Sequence, residues 1–128
     1  MKKILVNGQW QGGADPVTLD GAKSTFIKET GMAVYSVQDI HSDRNLIQRI
    51  IEGIHSEHIY VHLDLDVIDP RDFPNTPLPV DNGLSGEEVY DILVAVSDRL
   101  VGLGIYEYAS FGTGNALVEK LIRFGTAL

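Results

Sequence analysis

The chain has 128 residues, enough for one domain with a real hydrophobic core. Ten Lys and Arg against eighteen Asp and Glu give a net charge of −8, which argues against a nucleic-acid or anionic-membrane partner and is compatible with cations. With no cysteine there are no disulfides and no thiolate metal sites; no apolar run nears the roughly 18 residues of a membrane span or a signal h-region, so a soluble, cytoplasmic protein is expected.

In chain order, Ile4-Leu5-Val6 reads as a short buried strand, followed by a turn-rich loop from Gly8 to Asp15 that carries the sole tryptophan, Trp10. Asp15-Pro16 opens a predicted helix toward Glu29 with Gly31 as its stop. Met32 to Val37 is a second β-rich run. The period then changes: Leu46, Ile47, Ile50, Ile51 and Ile54 form the apolar stripe of a helix capped by Ser42 or Asp43. A third strand spans Ile59 to Val67. A proline-rich loop covers 70–84, and Ser85-Gly86-Glu87-Glu88 is a capping box ahead of an apolar face of Val89, Ile92, Leu93, Val96 and Leu100. Val101 to Tyr108 is a fourth strand, and a turn at Phe111 to Gly114 leads into a last helix with Leu117, Val118, Leu121 and Ile122 on one face. Strands alternating with helices predict right-handed crossovers and a three-layer α-β-α, doubly wound, mostly parallel sheet of about four strands in one domain, 1–128.

The chemistry concentrates in Ile59 to Pro70, IYVHLDLDVIDP. Strand alternation puts His62, Asp64 and Asp66 on one face, with both carboxylates near the strand's carboxyl end, where open α/β sheets take ligands. Like charges so close are relieved by a raised pKa or a bound cation, and a metal is the economical reading. A strand-end pair hydrogen-bonded to loop amides is the plainer alternative. Asp69-Pro70 stops the strand.

These residues carry a family resemblance. D-x-D-x-x-D-P, as Asp64, Asp66, Asp69 and Pro70, is similar to the third metal motif of the arginase/agmatinase (ureohydrolase) family. Pro74, Thr76, Pro79, Gly83, Leu84 and Ser85 extend the match through that family's P-G-T-G-T-P-x-x-G-G-L-T loop. Met32 to Asp39 also resembles its V-F-S-M-Q-D strand. The resemblance implies the C-terminal half of an arginase-like fold and hydrolysis of a C–N bond in linear amidines, guanidino or formimino compounds, at a site holding two manganese ions. It implies that Asp64 bridges the metals and Asp66 ligates the second. Glu107, in Gly104-Ile105-Tyr106-Glu107-Tyr108-Ala109-Ser110, stands where the family's D-I-x-E-V-N-P glutamate receives the substrate's guanidinium or amidine, with a solvated strand-end glutamate as the alternative. His62 is expected as a buried imidazole sharing a hydrogen bond, and Asp69 as a turn residue, both behind the ligands rather than on the metal. His41, His55 and His58 are expected at the surface.

The departures limit the function. The family's G-G-D-H-S and D-A-H-x-D motifs, which supply the ligand histidines and the other aspartates, do not occur, and Leu78 and Val80 replace polar residues of the loop. No catalytic residue is assignable within the chain, and at most weak or partial Mn binding is expected. The chain is therefore either an amidine hydrolase whose missing motifs come from a separate chain, or an inactive remnant or assembly module. D-x-D also resembles the haloacid-dehalogenase phosphatase motif, but that motif belongs on a first strand. The resemblance further implies that a strand between those at 59–67 and 4–6 is missing. Either its neighbours pair directly, giving the order 4-3-1-2, or another chain fills the edge, and a homo-oligomer is expected.

Overall fold

The computed structural model describes residues 4–7, 28–29, 31, 33–77, 79, 81–109 and 115–127. The predicted helix from Asp15 toward Glu29 and the loop with Trp10 lie almost wholly outside them. Strand β1 (Ile4–Asn7) pairs in parallel with β2 (Ala33–Ser36), Ile4 opposite Ala33 and Asn7 opposite Ser36. Strand β3 (Ile59–Asp64) pairs in parallel with β4 (Leu100–Tyr106); an irregularity between Ile59 and Tyr60 skips Val101, after which Tyr60 meets Gly102 and Asp64 meets Tyr106. Among the described residues no ladder joins the two pairs, so the direct 4-3-1-2 pairing is not seen among them.

Helix α1 (Val37–Ser42) follows β2 directly and was not expected. Its start is a capping box: Ser36 Oγ accepts from the Asp39 amide at 3.0 Å while Asp39 accepts from the Ser36 amide at 2.8 Å. Because Ser42 ends α1, it does not cap the next helix, α2 (Leu46–Glu52). Asp43 does not cap it either: one of its oxygens accepts from the Asn45 amide at 2.9 Å and the other pairs with Arg49. The far end of α2 is closed by Arg99, whose guanidinium donates to the carbonyls of Ile51, Ile54 and Ser56. Helix α3 (Gly86–Val96) begins on the predicted capping box, with Ser85 Oγ accepting from the Glu88 amide at 3.0 Å and Glu88 accepting from the Ser85 amide at 2.7 Å. In α4 (Ala116–Thr126), Asn115 caps the Leu117 amide at 2.8 Å. Ile122, expected on its apolar face, is exposed; Phe124 packs against the core in its place, one turn after Leu121.

Val61 and Leu63 of β3 and Leu103 and Ile105 of β4 pack into one core with residues of helices α1 to α4, including Ile40, Val89, Leu93, Val118 and Leu121. The opposite face of β3 and β4 presents Tyr60, 59% exposed, with His62 and Tyr106. Gly102 and Gly104 make that face possible, because the Tyr60 ring leans over both.

Candidate functional site

Parallel pairing in register brings the carboxyl ends of β3 and β4 together. The predicted strand to Val67 is shorter than expected and stops at Asp64. The Asp64 side chain accepts from the Asp66 amide at 3.2 Å, and this local bond turns Leu65–Val67 into a 3-10 helix. Buried Leu65 and Val67 anchor that turn. Asp66 therefore stands on the turn and not on the strand, and both Asp64 and Asp66 are half-buried. On the adjacent strand, Glu107 follows the last residue of β4, is exposed, and takes a left-handed φ of 60°. For a residue with a Cβ such a backbone persists only where its surroundings hold it. Asp64, Asp66 and Glu107 thus share the carboxyl edge of one parallel pair, where open α/β sheets take their ligands.

Asp69 has another task. It is buried, and its carboxylate accepts from the Arg71 amide at 2.9 Å, from Arg71 Nε at 2.8 Å and from the Asn82 amide at 3.0 Å. The Arg71 guanidinium first, and then the backbone N–H groups, hold its carboxyl at about 2, below the usual carboxylate value. Backbone bonds from Asp69 N to Leu84 O and from Leu84 N to Val67 O, both 2.8 Å, close the base of the proline-rich loop. These bonds make Asp69 the hub of the loop base. Arg71, Asn82 with its φ of 63°, and the contacts of Phe73 and Asn75 were not singled out from sequence; Asn82-Gly83 is a turn signal that marks one of them.

His62 is not the buried imidazole expected. It is exposed, its ring stacked on Tyr106 at 3.9 Å between centroids, because the face of β3 that it occupies carries no covering layer among the described residues. His55 and His58 are exposed, as is His41, whose Nε2 lies 3.1 Å from the Glu88 carboxylate. Among the described residues no group of three His, Cys, Asp or Glu side chains is placed to hold a metal ion. Asp64 and Asp66 alone do not fit a bridged two-metal centre, which needs more ligands than two carboxylates; they fit one hydrated hard cation at most. No helix among the described residues is long and apolar enough to cross a membrane.

Parallel strands with a carboxylate-bearing edge, beside a braced proline loop, define an α/β protein with an acidic strand end. The family model described as Arginase family matches residues 9–115, and the chain belongs to that family. It is 31% identical over 113 residues to an arginase from Bacillus subtilis, covering 84% of this chain and 36% of that protein. It is 30% identical over 100 residues to an N(1)-aminopropylagmatine ureohydrolase from Thermus thermophilus, covering 77% of this chain and 34% of that protein. The crystal structure of arginase from Bacillus subtilis superposes with a TM-score of 0.70 at 24% identity, over 94% of this chain and 43% of that one, so the fold is a part of the arginase fold. The chain spans about a third of the length of the curated relatives it matches.

Proposed function

We propose that this chain is a module of an amidine hydrolase, in which Glu107 receives the planar cation of a linear guanidino or formimino compound. Asp64 and Asp66 are then two carboxylates of a metal site, manganese in this reading, that further polypeptide must complete. The observation that carries the reading is the register of Asp64 opposite Tyr106, which brings the D-x-D carboxylates and Glu107 to the same sheet end. One carboxylate accepts two parallel N–H bonds from a guanidinium, and an exposed glutamate at the edge is open to one. The relatives' names, an arginase and an aminopropylagmatine ureohydrolase, support the substrate class. The test is a titration with agmatine followed by amide shifts: Glu107 and Tyr108 should move, and Glu107→Gln should abolish the movement. No response in the wild type would overturn the reading. The chain alone, given Mn²⁺, should release no urea from arginine or agmatine. Urea above blank, lost on Asp64→Asn, would show that two carboxylates suffice.

A second reading, an assembly module, is favoured by the bare aromatic face of Tyr60, His62 and Tyr106 together with a β3 that pairs only with β4 among the described strands. In this reading the chain forms a homo-oligomer, most simply a two-fold dimer. A monodisperse species near 14.1 kDa in light scattering at tens of micromolar would refute it.

A further inference from the structure

Glu107 is suspended between two anchors. On one side Tyr106 ends the β4 ladder, opposite Asp64. On the other, the Ala109 amide donates to the carbonyl of Asn75 at 2.8 Å, and the Tyr108 ring packs on Phe73 with centroids 6.1 Å apart. Both contacts of the second anchor come from the proline-rich loop, and the left-handed backbone of Glu107 is the link between the anchors. The loop residues are themselves fixed: Phe73 and Asn75 are buried, and the amides of Asp72 and Phe73 donate to the Asp69 carbonyl at 2.9 and 3.0 Å. The Asp69 carboxylate pins both ends of the loop, through Arg71 on one side and the Asn82 amide on the other. Gly83 lets the returning chain pass so close to Asp69 that a Cβ there would lie 2.6 Å from the Asp69 nitrogen.

We propose that Asp69 is a positioning residue for Glu107, acting through the loop that it closes: the carboxylate fixes the loop base, the loop fixes Phe73 and Asn75, and these hold Tyr108 and Ala109 so that Glu107 keeps its left-handed backbone at the sheet edge. The functional meaning of this chain of contacts rests on Glu107 being the cation acceptor; the contacts themselves do not. The coupling is local, since it does not pass through the β3–β4 ladder, and local opening is read separately from global unfolding by amide exchange.

The experiment is residue-resolved hydrogen exchange on the whole chain, comparing Ala109 with Leu103 and Ile105 in the middle of β4. In Asp69→Asn the Ala109 amide should exchange faster than in the wild type by about tenfold relative to those two references. In Ser85→Ala, which removes a helix cap outside this chain of contacts, the ratio should stay as in the wild type. Arg71→Gln, at a side chain 84% exposed, leaves the fold intact and should shift the ratio in the same direction by less. An unchanged ratio in both Asp69→Asn and Arg71→Gln would overturn the proposal, as would equal acceleration of Ala109 and the β4 references. If Asp69→Asn does not fold, Arg71→Gln alone decides. Agmatine shifts on the same samples separate the two ideas. A wild type that ignores agmatine fails the functional reading and leaves the exchange result standing, whereas a coupled loop predicts weaker agmatine shifts at Glu107 in Asp69→Asn.

Discussion

The ring of His62 on β3 lies flat on the ring of Tyr106 on β4, with planes 9° apart, and Tyr106 Oη lies 3.5 Å from Tyr60 Oη. Three rings from two strands thereby cross-link the exposed face of the pair, as cross-strand aromatic neighbours do in sheets. His62→Ala should cost about 0.5–1.5 kcal/mol in thermal or urea unfolding. It should also reduce the near-UV circular dichroism of the tyrosines. An unchanged melt would mean that the stack forms without contributing.

Two glycines of similar crowding should behave differently. A Cβ at Gly83 meets backbone, 2.6 Å from Asp69 N and 2.8 Å from the Ile68 carbonyl carbon, so Gly83→Ala should destabilise by about 1–3 kcal/mol. A Cβ at Gly104 meets the ends of the Tyr60 and Tyr106 side chains, which are exposed and can swing away. Gly104→Ala should therefore cost less, and urea midpoints of the two variants give the ordering.

The Asp69 carboxyl is depressed to about 2 in the folded chain, below its ordinary value of 3.8. A depressed acid contributes stability above its unfolded pKa and loses it as the pH falls through the folded one. The melting temperature of the wild type should exceed that of Asp69→Asn at pH 5–7, and the difference should shrink from pH 4 down to about 2. A difference that does not change with pH would mean that the anion is not what holds the loop.

Helix ends offer a calibrated check. Ser85→Ala removes the oxygen that accepts from the Glu88 amide and should cost about 1 kcal/mol. Leu93→Ala, at a side chain 1% exposed, should cost about 2–5 kcal/mol.

Much of this architecture was legible in the residues. The alternation of Ile59 to Asp64 and the Ser85 capping box act over a few residues, and both elements form where local chemistry dictates. The D-x-D string was legible as chemistry but not as geometry: the Asp64 side chain competes with the ladder for the Asp66 amide, so the strand ends two residues before Asp66. Helix α1 lies where the β-rich run from Met32 predicts a strand, though Ser36-x-x-Asp39 carries its own capping signature. The exposure of His62 is not legible in the sequence, because alternation says which side chains share a face and nothing about what covers that face. Neither the left-handed turn of Glu107 nor the Asn75–Ala109 bond has a local signature, since the contacts beside them come from Phe73 and Asn75, more than thirty residues earlier in the chain.

The clamp at the base of the proline-rich loop bears on how the chain tolerates change in length. Because Val67, Asp69, Asn82 and Leu84 are tied to one another below it, the exposed stretch at Pro77 and Pro79 is set apart from the sheet end by the clamp. Residues added in that stretch lengthen a loop whose ends are already fixed, and doubling a flexible loop costs only about 0.6 kcal/mol. The stretch is thus a place to graft a reporter peptide or a fluorophore attachment beside the carboxyl edge without moving Asp64 or Glu107, whereas the same insertion between Asp69 and Phe73 would unseat the clamp.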